Sequence, residues 1–119
     1  METAIYEEIS LKLAPLLHAL SHPARVQIII HLSRYKACQA GSISEKIPLA
    51  KSTISEHLSK LLEAQLINSL ADGNHIYYSL NLKHFGLIKD SFIEFQKTIE
   101  QLHDKAKDCC PLIMNELEK

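Results

Sequence analysis

Three cysteines, Cys38, Cys109 and Cys110, are the side chains of this 119-residue sequence best suited to soft-ion or redox chemistry. Thiolates are soft donors and favour thiophilic ions such as arsenic(III) and antimony(III). Cys109 and Cys110 are adjacent, so their Cα atoms lie about 3.8 Å apart and both sulfurs can be aimed at one ion. A disulfide prefers Cα separations of roughly 4.4–6.8 Å, so an open dithiol is expected. An odd cysteine count behind the acidic start Met1-Glu2-Thr3, which lacks an export signal, argues against a disulfide framework and for reduced thiols in the cytoplasm. Two other readings stand beside the soft-ion one. Exposed thiols can oxidise to a sulfenate or an interhelix disulfide, or sense persulfide. Alternatively Cys38 is a small core or loop filler and Cys109-Cys110 an incidental tail pair.

A second group of residues could read DNA. In Lys51–Ala64 the apolar positions Ile54, Leu58, Leu61 and Leu62 fall on one helical face, which leaves Ser52, Ser55, Glu56, Ser59, Lys60 and Glu63 outside. A short helix stopped by Pro48 precedes it, so a short helix, a tight turn and a longer helix follow one another, the plan of a helix-turn-helix. Such a reader enters the major groove by its N-terminal end. Lys51 and the first amides suit phosphate, while Ser52, Thr53 and Ser55 are short enough for the backbone to approach base edges. Glu56, His57 and Lys60 complete the candidate contacts on this helix. Taken alone, the stretch is equally an ordinary amphipathic helix with a solvated polar face.

The elements that must position these groups follow from periodicity. Residues 4–20 place Ile5, Ile9, Leu13, Leu16, Leu17 and Leu20 on one helical face, with a bend expected at Pro15. Ser21 is a candidate N-cap for a second helix that has Pro23 in its first turn and runs to about Ser33. Ser42-Ile43-Ser44-Glu45 has the pattern of a capping box at the start of the short helix. Gln65–Leu70 and His75–Leu80 flank the turn formers Ala71-Asp72-Gly73-Asn74, the pattern of a hairpin whose tip would present Gly73, Asn74 and His75. From Phe85 onward, Phe85, Ile88, Phe92, Phe95, Ile99, Leu102 and Ala106 alternate in steps of three and four, a seam suited to a partner helix. Cys109 falls on its next step before Pro111 breaks the pattern. Leu112–Lys119 is expected to add one more turn or to fray.

Composition bounds the class. With 46% apolar residues, three Gly and four Pro, the chain suits a single mainly α-helical domain over residues 1–107, followed by a cysteine-containing tail over 108–119. Thirteen Lys and Arg against fourteen Asp and Glu give no bulk basic signature, so any attraction to nucleic acid must be local. No apolar run approaches the roughly 18 residues of a membrane span, so no membrane partner is expected.

Three ordered segments carry a family resemblance: Ala19-Leu20-Ser21-His22-Pro23-Ala24-Arg25, Leu49 through Leu61, and Gly73-Asn74-His75-Ile76-Tyr77-Tyr78-Ser79-Leu80. Together they resemble the motifs of ArsR/SmtB regulators over roughly residues 13–105. The resemblance implies a winged helix-turn-helix with a β-hairpin wing and an α-helical dimer interface. It also implies a homodimer, double-stranded operator DNA as partner, and repression as the output. The dimer contact would come from the first and last helices, through Ile5, Ile9, Leu13, Phe85, Ile88, Phe92, Phe95, Ile99 and Leu102. Two departures weaken the DNA face. Ala50 stands where the family usually has a capping Ser, and Glu56 where a neutral or basic residue is common. The wing also lacks the family's usual Arg, leaving Asp72 and His75 at its tip.

Founding members of that family bind arsenic(III) and antimony(III) through three sulfurs. In the resemblance, Lys36 through Ile43 overlays the metal box of the third helix, with Ala40 in the place of its second thiol. The expected site therefore joins Cys38 of one protomer to Cys109 and Cys110 of the other, with ligation within one chain as the alternative; no organic cofactor is expected. Zinc or nickel binding on the last helix is disfavoured, because Asp90 is followed by Ser91-Phe92 and His103 has no matching partner. No Gly-rich phosphate loop, nucleophile elbow or His-Glu-x-x-His motif is present, so an enzyme is not expected. A winged helix that binds protein rather than DNA is the competing class, motivated by the near-neutral charge and Glu56.

Overall fold

The computed structural model describes residues 5–111. Five helices and one hairpin follow in the order α1 (Glu8–Ala19), α2 (Pro23–Arg34), α3 (Ala40–Lys46), α4 (Lys51–Glu63), β1 (Ile67–Asp72), β2 (His75–Leu80) and α5 (Leu82–Asp104). This is the mainly helical, winged architecture expected from the sequence.

Apolar periodicity places the core between α2, α3, α4 and the base of the hairpin. Ile28, Ile43, Ile54, Leu58, Leu61 and Leu66 are fully buried there. Burying one such side chain contributes roughly 1.5–3 kcal/mol, so this cluster fixes the angle between α3 and α4. The α4 helix ends in a tight C-terminal turn. The Leu66 amide donates to the Leu61 carbonyl at 3.0 Å and the Gln65 amide to that of Leu62 at 2.9 Å. Gln65 is held at φ 62°, a conformation that costs a side-chain-bearing residue about 1–2 kcal/mol.

The hairpin is antiparallel, with Ile67 opposite Leu80 and Asp72 opposite His75. Gly73 and Asn74 form its two-residue turn, and Gly73 takes φ 66°, which a residue without a β-carbon adopts freely. Cys38 adds a third, one-residue strand: its amide donates to the Tyr78 carbonyl at 2.9 Å, and the Tyr78 amide donates back at 2.7 Å.

Helix starts differ from the sequence expectation in two places. His22, not Ser21, caps α2, its Nδ1 accepting from the Ala24 amide at 3.0 Å. The Ser21 hydroxyl instead donates back to the His18 carbonyl. No capping box forms on α3. The Cys38 bridge delivers the chain into a helix already under way at Ala40, which puts Ser42 inside the helix, while the Ser44 hydroxyl donates to the Gly41 carbonyl.

Helix α1 continues through Pro15 and packs on α5 of the same chain, joined also by a Lys12–Glu94 ion pair at 2.9 Å. That packing corrects two dimer assignments. Ile9 and Leu13 are buried within the protomer, and the outward apolar side chains near and on α1 are Ile5, Tyr6, Leu11 and Leu17. Asn81 caps α5 by accepting from the His84 amide at 3.1 Å. Phe85 and Ile88 lie against the core, whereas Phe92, Phe95, Ile99 and Leu102 are 36–64% exposed. The α5 helix ends at Asp104, so Cys109 lies beyond it and not on the seam. The expectation for Leu112–Lys119 falls outside the described residues. Among those described, no helix is long and apolar enough to cross a membrane.

Candidate nucleic-acid interface

The buried stripe of α4, Ile54, Leu58 and Leu61, turns its opposite face outward. Lys51, Ser52, Ser55, Glu56, Ser59 and Lys60 are exposed on that face, and Thr53 is half-buried at its edge. Ala50 caps the helix without a side-chain hydrogen bond, which leaves the first amides of α4 free to meet an anion. Lys51 lies across the first turn of α3: a β-carbon at Gly41 would meet its Cε and Nζ at 3.8 Å. At that distance the lysine is in ordinary van der Waals reach of Gly41. Gly73, Asn74 and His75 are exposed at the wing tip.

His57 departs from the expected set. It is only 8% exposed and lies on the inner side of α4, so it offers no surface to a duplex. Its ring sits 4.4 Å from that of His22, tilted by 48°. Burial, then the neighbouring His22 and Arg25, push its pKa below the ordinary value, against a smaller upward pull from Glu56. Position 57 follows Ser55 and Glu56, both outward, and polarity alone could not distinguish it from them. Helical phase does: His57 stands three residues after Ile54 and four before Leu61, on the buried stripe.

The sequence reading also missed what backs the reader. Arg25 is 9% exposed, and its guanidinium donates to the His18 carbonyl at 3.5 Å and to the Ser21 hydroxyl at 3.4 Å. His22 and Arg25 together form a polar layer between α2 and α4. The only signal for them was their place in the motif Ala19 through Arg25.

The cysteines do not converge within the chain. Cys38 lies before α3 rather than in it, 6% exposed, and desolvation pushes its thiol pKa up. The strand bridge with Tyr78 turns this residue into the core, where a thiol is a small apolar filler and a poor ligand. Cys109 and Cys110 are exposed beyond α5. Among the described residues, no group of three or more His, Cys, Asp or Glu side chains is placed to hold a metal ion. The single-chain version of the three-sulfur site is therefore not assembled.

Comparison with known proteins agrees with this geometry. The family model for bacterial regulatory proteins of the arsR family matches residues 22–69, which span α2, the helix-turn-helix and the start of the hairpin. The transcriptional repressor PagR of Bacillus anthracis is 36% identical over 77 residues, covering 64% of this chain and 77% of that protein. Its crystal structure superposes with a TM-score of 0.57 at 36% identity, over 70% of this chain and 97% of that one. The regulator YgaV of Escherichia coli is 37% identical, covering 56% of this chain and 68% of that protein. The arsenical resistance operon repressor of Staphylococcus xylosus is 31% identical, covering 59% and 66%. On this agreement of fold, motif and sequence, the chain belongs to the ArsR family of DNA-binding transcriptional regulators.

Proposed function

We propose that this protein is a homodimeric repressor that reads an inverted-repeat operator with α4 and is released by a thiophilic effector at Cys109 and Cys110. The carrying observation is the division of α4 into a fully buried back and a polar, exposed front at its N-terminal end. Repression agrees with the relatives PagR and the arsenical resistance operon repressor. Lys51, Ser52, Thr53 and Ser55 approach phosphate and base edges, Lys60 reaches the backbone, and Gly73, Asn74 and His75 lie along the adjacent groove. Glu56 subtracts from that attraction. The protomer presents Phe92, Phe95, Ile99 and Leu102 without a cover, and a second copy laid along α5 buries them.

The effector acts at the vicinal pair because those thiols are open to solvent while Cys38 is not. A metalloid on the segment that follows α5 can act on the dimer by pulling on the end of the seam. If it favours a spacing of the two readers that mismatches the duplex, it weakens DNA by the same coupling free energy.

The test uses a duplex selected by the protein from a randomised pool. Affinity should fall steeply with salt, by about 0.9 log units per tenfold salt for each phosphate contacted, and a flat response would instead favour a protein partner. Arsenite should release the duplex from the native protein but not from a Cys109→Ser, Cys110→Ser variant. Equal release from both removes the cysteine site, and release by peroxide but not by arsenite assigns the pair to redox sensing.

A further inference from the structure

Between the end of α2 and α3 lies a cavity of about 290 Å³ lined by His31, Tyr35, Ala37, Cys38, Ser42 and Lys46. It is separate from the outward face of α4 and from the seam on α5. His31 is 5% exposed, and its Nε2 is buried with no hydrogen-bond partner. A buried ring nitrogen left this way forfeits a bond that an incoming group can supply. The Tyr35 ring flanks the imidazole at 5.0 Å.

The charges around that imidazole are of one sign. Burial first, then Arg34 in the last turn of α2 and Lys46 on α3, push its pKa down. Among the described residues, no carboxylate offsets those two cations at His31. Glu45, the acidic neighbour on α3, lines the adjoining cleft with Cys38, Gly41 and Ser42. An imidazole without a partner, in a positive field and beside an ammonium and a hydroxyl, lacks one thing: a small negative charge that accepts hydrogen bonds.

We propose that this cavity binds a small oxyanion, held by the His31 imidazole, the Lys46 ammonium and the Ser42 hydroxyl. The volume is ample for inorganic phosphate, sulfate or a short carboxylate. A bound anion cancels the field of Arg34 and Lys46, so His31 takes up a proton and donates to it. By linkage, affinity rises as pH falls through the pKa of the liganded His31 and levels off once the unliganded imidazole, whose own pKa lies below the ordinary value, is protonated as well. The site bears on the reader from behind, because α3 packs on α4 and Cys38 is bonded to the wing.

The experiment follows the His31 ring proton by NMR in the full-length protein without DNA, so its outcome is independent of operator binding. Inorganic phosphate and acetate are titrated in separate arms, with sodium chloride holding ionic strength constant. A saturable shift, together with an upward move of the His31 titration midpoint, is the expected result. The arm that saturates at the lower concentration names the chemistry as tetrahedral oxyanion or carboxylate. Lys46→Gln, at an exposed position where folding is safe, should weaken binding about tenfold through loss of one charge-assisted bond. His31→Gln should abolish the midpoint shift and weaken binding, read by isothermal titration. A shift that grows linearly and equally with chloride, or unchanged binding in Lys46→Gln, overturns the proposal.

Discussion

The His57 ring of α4 lies 4.4 Å from the His22 ring that caps α2, and the upward pull of Glu56 on His57 is smaller than the downward push of burial, His22 and Arg25. Two imidazoles this close cannot both be charged without repelling, and Arg25 adds a third positive group to the same layer.

Stability should therefore fall on acidification. The folded-state pKa of His57 is lowered, so the unfolded chain binds the proton more readily. Its contribution is complete above pH 6.5 and is lost as pH falls below that value toward the folded pKa. His31 acts in the same direction. Urea unfolding at pH 7.5 and at 5.5 should show a lower midpoint at the acid pH, and His57→Gln should reduce the difference. An unchanged difference in that variant would assign the pH effect elsewhere.

Truncation of the buried back of α4 should cost far more than truncation of its front. Ile54→Ala and Leu58→Ala each remove a fully buried side chain and should lose about 2–5 kcal/mol by denaturant titration. Ser52→Ala and Ser55→Ala, at exposed positions, should stay within about 0.5 kcal/mol while weakening duplex binding.

The seam on α5 should decide the oligomeric state. Phe92→Glu with Ile99→Glu places charge at two exposed apolar positions and should yield a monomer by analytical ultracentrifugation. Ile9 and Leu13 test the alternative: Ile9→Ala should lower the unfolding midpoint, because that side chain is already buried within the protomer. A dimer that survives the double glutamate substitution would place the interface elsewhere.

Gln65→Gly should stabilise the protein by about 1 kcal/mol, because the residue sits at φ 62°, where a β-carbon is strained. Cys38→Ser should destabilise by about 1–3 kcal/mol through a buried hydroxyl without a set partner, while leaving arsenite release intact. Loss of the arsenite response in that variant would restore Cys38 as a ligand.

The legible part of the fold was the part written in apolar spacing. The stripe Ile54, Leu58 and Leu61 gave α4 its start and its direction, and Gly73-Asn74 gave the hairpin turn. Motif order then supplied the family. Caps were less legible, because Ser21 and Ser42 are good caps in isolation and only tertiary structure made His22 the cap of α2 and started α3 at Ala40, with no side-chain cap. The bridge at Cys38 is such a choice: one residue pairing across forty positions leaves no periodic trace, and it moved a presumed ligand into the core. The end of α5 was equally hidden, since Ala106 and Cys109 continue the numerical seam past the point where the helix stops at Asp104. The apolar spacing of the proposed seam matches an exposed face of α5 at Phe92 through Leu102. It was misread at Ile9 and Leu13, because periodicity marks a face as apolar without naming what covers it.

Because Cys38 and Tyr78 exchange both amide hydrogen bonds, the hairpin has no hinge of its own at its base. Inserting or deleting a residue between Arg34 and Ala40 would have to tear that pairing or drag α3 out of line. A length change at the hairpin tip would leave that pairing untouched, so the proposed reading helix and wing would keep one separation. Operator sequences would then be sorted by how readily their grooves match one rigid gauge.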